Sequence, residues 1–203
     1  MRLTAALIGC VLSLCLLEPI WALQVSPARA QHDRPWWISA EMGDGQIQLS
    51  SDRLKGDRVP TFAFGLAGGH RAGRFMRAGM KANGWQLQAS NLNDPTVGES
   101  VGNVMGIVDV FPARKGGFVR GGLGYASYTN NRPEGSNGSG LGWEAGAGYE
   151  FPIRNQFRLA PIVEYNAGSF GDAYQPIAPV TGRRYSVIEF KLSLVYRFGG
   201  NGG

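Results

Sequence analysis

The side chains that could perform acid–base or nucleophilic chemistry are few in this sequence and lie far apart. Its two histidines are His32 and His70, and His70 is followed by Arg71 and Ala72 rather than by a serine. Catalysis by a serine requires a base within hydrogen-bond reach of the hydroxyl. We interpret His70 as a surface histidine in a short turn, and we predict no catalytic residue.

Three further patterns have simple explanations. Asp44, Asp52 and Asp57 share a polar segment that is more typical of a solvated loop than of a calcium site. The glycine-rich stretches at 140–142 and 146–148 lack the strand, turn and helix of a phosphate-binding loop. Basic residues are not clustered with aromatic ones, as nucleic-acid binding requires. The sequence therefore predicts no metal ion, no cofactor and no nucleic-acid partner.

The amino-terminal segment has the pattern of a secretory signal peptide. Arg2 precedes an apolar run over residues 3–17, and Ala28 and Ala30 are small residues suited to cleavage before Gln31. A single spanning helix is the alternative, but the run is too short to cross about 30 Å of hydrocarbon at about 1.5 Å per residue. We expect residues 1–30 to be a signal peptide and residues 31–203 to form one domain.

Both cysteines, Cys10 and Cys15, lie inside this predicted signal peptide. Residues 7–10 also resemble a lipoprotein cleavage box, although the apolar stretch continues beyond Cys10, where such a box would end it. The mature domain is therefore expected to contain no thiol for a disulfide, a metal site or a nucleophile.

The mature sequence is mildly basic and rich in glycine. Without Arg2, Arg29 and Glu18, the 20 basic and 15 acidic residues become 18 and 14, a net charge of +4. Such a surplus is compatible with anionic headgroups or polysaccharide, and equally with a surface that has no specific partner. Glycine accounts for 31 of the 203 residues and is interleaved with aromatic residues. Glycines so placed suit tight turns, bulges and the crowded inner wall of a closed barrel.

The segment from Tyr185 to Phe198 alternates between two kinds of side chain. A period of two over this length predicts a strand with one apolar face, and about 9 to 11 tilted residues suffice to cross a bilayer. Its polar face includes Glu189, Lys191, Ser193 and Arg197. Its apolar face carries Ile188, Phe190, Leu192, Leu194, Tyr196 and Phe198.

Three preceding segments, residues 118–128, 141–151 and 157–169, alternate in the same way. Alternation alone does not say which face is inside, so the charges on the polar faces decide. Equal numbers of opposite charges can pair in a narrow lumen, as burial requires. We therefore predict a lipid-facing apolar wall and a balanced charged interior. The predicted inward charges are Arg120, Arg158, Lys191, Arg197, Glu144, Glu150, Glu164 and Glu189.

The first half of the domain supplies four more predicted strands, which makes eight. At Gly84 the apolar positions change parity to Trp85 and Leu87, a change that predicts a β-bulge. The strands are expected at residues 36–42, 59–69, 76–89 and 101–111. Their polar faces include Glu41, Arg77, Lys81 and Asp109.

Short and long connections alternate between these strands. This is the pattern of outer-membrane barrels, which have short periplasmic turns and long external loops, and it places both termini in the periplasm. The short connections are residues 71–74, 112–117 and 152–156. The long connections are residues 43–58, 91–100, 129–140 and 170–183.

Three short stretches carry a resemblance to a known family. They are Val110-Phe111-Pro112, the glycine-rich segment 118–126 and Val195-Tyr196-Arg197-Phe198. They resemble the small outer-membrane β-barrel family that includes OmpA-like, OmpX-like and opacity-type proteins. The resemblance implies an all-β, eight-stranded antiparallel up-and-down transmembrane β-barrel in the outer membrane of a Gram-negative bacterium.

The same resemblance implies that the barrel-assembly machinery reads Phe198, with Tyr196 two residues before it. The chain departs from the family pattern in two places. The tail Gly199–Gly203 follows the aromatic residue that normally ends the strand. Pro161 cannot donate a backbone hydrogen bond, which would disturb the register of a strand paired on both sides.

These features favour a non-enzymatic function. Lipid A deacylases, which resemble eight-stranded barrels, use a His-x-Ser pair that His70 does not form. Eight strands leave an interior that side chains fill, unlike that of a general porin. We expect a monomer with a structural or surface-interaction role through its external loops, in contact with outer-membrane lipid and lipopolysaccharide. The alternatives are a narrow or gated channel through the charged lumen, and a soluble secreted barrel that binds an apolar ligand.

Overall fold

The computed structural model describes residues 35–52, 55–73, 75–87, 99–112, 116–130, 137–173 and 180–199. The predicted signal peptide and its cleavage site lie outside the described residues, as do residues 88–98 and 131–136. The strands are β1 (Trp36–Ser50), β2 (Lys55–Ala72), β3 (Met76–Leu87), β4 (Glu99–Val110), β5 (Gly117–Asn130), β6 (Gly138–Tyr149), β7 (Phe151–Arg154), β8 (Phe157–Ala173) and β9 (Val180–Phe198).

The strands pair as antiparallel neighbours, and the sheet closes on itself. β1 pairs with β2 on one side and with β9 on the other, and β6 pairs with β8. The short β7 continues the line of β6 beyond Glu150 and pairs with the start of β8. Eight long strands therefore form a closed barrel. The predicted all-β, eight-stranded antiparallel up-and-down barrel is confirmed.

Alternation along each strand separates an apolar outer face from the interior. On β9, Leu192 points outward and is 42% exposed, whereas its neighbours Lys191 and Ser193 are buried. The outward apolar residues of β9 run from Ile188 to Phe198. At about 3.3 Å per residue and a tilt of about 40°, they cover about 25 Å along the barrel axis. That is the height of the lipid-facing band of an outer-membrane barrel.

Aromatic rings mark the end of the barrel where β1 begins and β9 ends, which we call the turn end; the opposite end is the loop end. Phe157 packs on Tyr196 with ring centroids 5.0 Å apart, and Tyr196 stacks on Phe198 at 5.9 Å. Trp36 lies opposite Phe198 in the ladder between β1 and β9. His70 meets Trp36 edge to face at 5.0 Å. The prediction that His70 lies in a turn is wrong, because it belongs to β2 and faces outward.

The strands at the loop end extend into segments predicted as long loops. β1 and β2 contain all but four residues of 43–58, and β8 and β9 contain residues 170–173 and 180–183. The strands extend this far because they enclose an apolar inner layer, in which Phe170 and Tyr185 are buried. The outward residues at the same level, such as Gln46 and Arg184, are polar. This mixture resembles the composition of a loop. The loop prediction is wrong for residues 43–50, 55–58, 170–173 and 180–183, whereas residues 53–54 and 174–179 lie outside the described residues.

The turn end also differs in detail from the prediction. β7 occupies most of the connection predicted at 152–156, and only Asn155 and Gln156 form the turn. Pro161 pairs with Leu192 in β9 without a register shift. On the other side, the ladder between β6 and β8 ends with the neighbouring pair, Gly148 and Ile162. The proline therefore lies where a hydrogen-bonded ladder is interrupted, and the register is preserved.

The β-bulge predicted at Gly84 is absent from the described strands. The pairing of β3 with β2 and β4 is continuous through Gly84. Trp85 keeps the inward parity of Lys81 and is 1% exposed. A Cβ atom on Gly84 would lie 2.3 Å from the Phe64 ring, so the glycine accommodates this outward ring. The apolar residue at position 85 belongs to the interior, not to a shifted outer face.

Candidate functional site: the charged interior

Charged side chains fill the middle of the barrel because the strands point alternate residues inward. Six are basic and six are acidic, so their formal charges cancel. Each lies within 4 Å of an opposite charge. This network consists of Arg77, Lys81, Arg120, Arg158, Lys191, Arg197, Glu41, Asp109, Glu144, Glu150, Glu164 and Glu189.

Three cations at the centre share two carboxylates. Lys81 Nζ lies 2.6 Å from Glu164 and 3.3 Å from Glu41. Lys191 Nζ lies 2.6 Å and 3.1 Å from the same two groups. Arg120 Nη1 lies 2.9 Å from an oxygen of each. These five side chains come from β1, β3, β5, β8 and β9, so the cluster connects opposite parts of the wall.

Each of the three cations also contacts a carboxylate that it does not share with the other two. Taking charges out of water costs several kcal/mol per ion, and close geometry with further hydrogen bonds is needed to offset that cost. The additional contacts supply such geometry. The pairs are Lys81 with Glu144 at 3.1 Å, Lys191 with Glu189 at 2.9 Å, and Arg120 with Asp109 at 2.6 Å.

A second group of charges continues the network toward the turn end. Arg77 Nε lies 2.5 Å from Asp109, and Arg77 Nη1 donates to Glu150. Glu150 also accepts a hydrogen bond from Arg197 Nη2 at 2.5 Å, and Arg158 Nε lies 3.9 Å away. Because Asp109 belongs to both groups, the network is continuous along the barrel axis.

Neutral donors complete the network toward the loop end. Trp85 Nε1 donates to one oxygen of Glu189 at 2.6 Å, and Asn166 Nδ2 donates to the other at 2.9 Å. The indole thus has an apolar body in the inner layer and a polar edge on the network. Trp85 was assigned to the outer face by its sequence pattern, yet it is a structural part of the interior.

Glycines on the inner wall make room for the carboxylates. A Cβ atom on Gly122 would lie 2.8 Å from Glu144 Cγ, and one on Gly146 would lie 2.6 Å from Glu164 Cγ. Real Cβ atoms essentially never approach so closely. The prediction that glycines relieve crowding at the inner wall is therefore confirmed at these two positions.

Aromatic side chains lie on both sides of the central, fully buried part of the network. At the loop end, Phe170 stacks on Tyr185 with centroids 4.8 Å apart, and Tyr128 packs on Phe170 at 5.5 Å. At the turn end, Phe111 packs on Phe118 at 5.5 Å. A cavity of about 650 Å³ lies instead on the lipid-facing side, lined mainly by residues of β1, β2 and β3 such as Ile38, Leu66 and Met80. Within the described residues, the interior is filled by side chains.

The other side chains that could perform chemistry do not come together in a site within the described residues. His70 lies on the outer face against Trp36, away from the charged network. In the part of the chain that the structure describes, no group of three His, Cys, Asp or Glu side chains could hold a metal ion. The same residues include no helix that is long and apolar enough to cross a membrane.

Sequence reasoning found eight of the twelve network residues as inward charges. The other four, Glu41, Arg77, Lys81 and Asp109, were placed on polar faces but not counted in the interior. The same period-two signal identifies them, since they alternate with outward residues exactly as the first eight do. The pairing pattern within the network had no sequence signal, because it depends on the register of strands distant in the chain.

No protein-family model matches the sequence, and no curated protein sequence matches it. Solved structures do match. Neisserial surface protein A superposes with a TM-score of 0.51 at 15% identity, covering 80% of this chain and 97% of that one. Ail of Yersinia pestis, in complex with the heparin analogue sucrose octasulfate, gives 0.48 at 11% identity, covering 80% and 99%. OprG of Pseudomonas aeruginosa gives 0.43 at 13% identity, covering 84% and 99%.

The identities are low, so the first of these matches establishes the fold alone. The outer surface is that of a barrel that lies in a membrane. Large apolar side chains such as Leu66, Leu123 and Leu141 are highly exposed on it. Such a surface is stable in hydrocarbon and not in water. Together, the closed eight-stranded wall, its apolar band and its aromatic belt give this chain the fold of a small outer-membrane β-barrel.

Proposed function

We propose that this protein is a non-enzymatic outer-membrane barrel that acts through its loop end, in a structural or surface-interaction role, and does not conduct solutes through its lumen. The observation that carries the proposal is the continuous interior network. Six basic and six acidic side chains occupy the space that a channel would need, and aromatic layers lie on both sides of the central cluster.

The loop end supplies the surface for such a role. β1 and β2 form a hairpin that continues beyond the apolar band, and its exposed residues are mostly polar and include charges of both signs. Arg58 Nη1 donates to the carbonyl of Gln46, and Arg184 lies 3.8 Å from Asp52. This hairpin is anchored to the barrel by Ile47, which is fully buried beneath it. An anchored, hydrated projection is a suitable support for contacts outside the membrane.

A narrow or gated channel is the competing function. The network runs along the barrel axis, so a path could exist only if several ion pairs were broken together. Breaking a buried pair by removing one partner typically costs about 3 to 5 kcal/mol. The opening of several such pairs at once would be rare without an applied force or ligand.

Single-channel recording in planar bilayers tests this choice. The purified protein should give a conductance far below that of a 16-stranded porin reconstituted in the same way. Large, steady, ohmic pores from the monomer would overturn the filled interior and establish the channel. Membrane fractionation and gel mobility with and without boiling would show that the recorded sample is the folded barrel.

A further inference from the structure

The apolar wall of the barrel is interrupted by a carboxylate on β1. Asp44 is exposed and shares the outward parity of Met42 and Gln46. It lies opposite Phe62 of β2 and Phe190 of β9, two outward rings that are 52% and 59% exposed. No basic side chain of the described residues lies within 4 Å of Asp44. The lipid-facing band therefore contains an outward negative charge near its loop-end edge.

Polar side chains continue from Asp44 toward the loop end on the same outer face. Gln46 and Gln48 are the next two outward residues of β1, and we call these three residues the polar column. Gln46 lies between two apolar neighbours, Pro60 of β2 and Ile188 of β9. The column covers about 13 Å of β1 at about 3.3 Å per residue. It forms a polar strip that enters the apolar band from the loop end.

Two outward arginines flank the outer part of the polar column. Arg58 of β2 is exposed, and its Nη1 donates to the carbonyl of Gln46 at 3.4 Å. Arg184 of β9 lies on the other side of β1, with a side chain 69% exposed and 3.8 Å from the exposed Asp52. Both guanidinium groups therefore lie closer to the loop end than Asp44 does. Along the membrane normal, positive charge is outermost and the carboxylate is deeper.

This order of charges restricts the chemistry of a lipid that could bind there. An ionisable side chain at membrane depth costs free energy and marks a functional position by default. In an amine-bearing phospholipid the ammonium is outermost and the phosphate is deeper, which is the reverse of what the column offers. In a phosphorylated glycolipid the phosphates are outermost, and amide N–H and hydroxyl groups lie where the acyl chains begin. The second order presents an anion to Arg58 and donors to Asp44.

We propose that the polar column and its two arginines bind a phosphorylated glycolipid of the outer leaflet. Arg58 and Arg184 take the phosphate, because guanidinium groups match phosphate oxygens in geometry as well as in charge. Asp44 accepts a hydrogen bond from an amide or hydroxyl group at the start of an acyl chain. Phe62 and Phe190 pack against the chains on either side.

This inference rests on the function proposed for the loop end and names one partner of that end. The two proposals fail separately. A conducting lumen would leave the outer face of β1 unchanged, whereas a protein that binds no glycolipid would still have a filled interior.

Native mass spectrometry of the folded mature barrel, titrated with defined lipids in detergent, tests the proposal. The lipids are diphosphorylated lipid A, its dephosphorylated form, phosphatidylglycerol and phosphatidylethanolamine. We expect one tightly bound diphosphorylated lipid A, and weaker binding of the other three by about tenfold, the effect of losing one charge-assisted hydrogen bond. Added salt should weaken the binding of diphosphorylated lipid A, because it screens the arginines.

Two variants separate the roles of the two charges. Arg58→Gln should weaken the binding of diphosphorylated lipid A by about fivefold. Asp44→Leu should weaken it by about tenfold and should not weaken the binding of phosphatidylglycerol, which has no donor at that depth. Asp44→Leu makes the lipid-facing wall more apolar, so it does not endanger folding in lipid.

The β1–β2 hairpin offers matched controls for both variants. Lys55→Gln removes a positive charge nearer to its tip, and Asp57→Leu makes the same change as Asp44→Leu at a position that points to the other face of β2. Both controls should bind diphosphorylated lipid A as the parent does.

Three outcomes would overturn the proposal. The first is equal binding of diphosphorylated lipid A and phosphatidylglycerol by the parent, which would make the column a general anionic surface. The second is parental lipid A binding by Asp44→Leu, or equal binding of the phosphorylated and dephosphorylated forms. The third is a dimer that Asp44→Leu abolishes, because the occupant of the column would then be a second copy of the chain.

Discussion

Lys81 and Lys191 bind the same oxygen atom, because the Nζ of each lies 2.6 Å from Oε2 of Glu164. Lys81 stands on β3 and Lys191 on β9, two strands that do not pair with each other. Ammonium groups that are so close repel one another. Their proximity is stable only because Glu164 and Glu41 lie between them as charged carboxylates.

Glu164→Gln should destabilise the barrel by about 3 to 5 kcal/mol, because three buried cations lose a charge that they share. The measurement is denaturant-induced unfolding of the purified protein in detergent or lipid. Glu164→Gln combined with Lys191→Met should recover part of the loss, since it removes one of the stranded cations. Asp57→Asn, at the exposed rim, should stay within about 0.5 kcal/mol of the parent. A single Glu164 variant as stable as the parent would contradict the network.

Leu192→Arg should lower the free energy of unfolding in lipid by about 2 to 4 kcal/mol, because the new charge lies near the bilayer midplane. Gln46→Arg is the matched control, since Gln46 also faces outward but lies at the loop-end edge of the apolar band, opposite Ile188. It should cost about 0 to 1 kcal/mol. If the two substitutions cost the same, the band does not face hydrocarbon where we place it.

Phe198→Ala should impair assembly in cells more than it impairs stability. Refolded from denaturant into detergent, the variant loses part of the burial of one ring, about 1 to 3 kcal/mol. We propose that the same ring is read by the assembly machinery, so the folded level in the membrane should fall sharply. The measurement is the intensity of the heat-modifiable band at equal expression. If Phe198→Ala reached the same folded level in the membrane as the parent, Phe198 would not be an assembly signal.

Deletion of the tail that follows Phe198 is the matched control for that experiment. Residues 199–203 include four glycines, so they have little side-chain surface with which to pack. The deletion should assemble as the parent does. A deletion variant that fails to assemble would place the functional end of the chain after Phe198.

Amine labelling of intact cells should modify Lys55 and spare the other lysines. The sequence has lysines at 55, 81, 115 and 191. Lys81 and Lys191 are buried, and Lys115 belongs to a connection at the turn end, which we place in the periplasm. Lys55→Arg should therefore abolish labelling by a membrane-impermeant reagent, and Lys115→Arg should not. Labelling that depends on Lys115 would reverse the orientation of the barrel.

The outward-facing residues were predictable from the sequence because the alternation within a single strand is enough to identify them. In β9, period two alone separates Leu192 from Lys191, and neighbouring strands do not change that assignment. The second half of the chain was assigned correctly on this basis. Its inward charges, such as Glu164 and Arg120, then identified the interior.

The failures at Gly84 and at 43–58 have a common physical cause. Both lie where the interior becomes apolar, so a hydrophobic residue there no longer signals the lipid side. Trp85 and Ile47 point inward, and their neighbours Gln86 and Gln46 point outward into the aqueous margin. In such a region the apolar residues face inward and the polar residues face outward, which is the reverse of the arrangement in the band. Only the continuous pairing of the strands shows which way each residue faces.

The interior network also makes the two halves of the wall electrically complementary. Strands β1 to β5 contribute three positive and two negative network residues, and β6 to β9, with Glu150 between β6 and β7, contribute three positive and four negative. Each half alone is an open sheet with uncompensated charge on the face that later becomes the inside. The opposite charges of the two halves come into contact across the lumen only when the last strand meets the first. Closure is therefore the step at which the inner face first becomes compatible with a hydrocarbon environment. A sheet that has not closed is expected to stay in water until the barrel is complete.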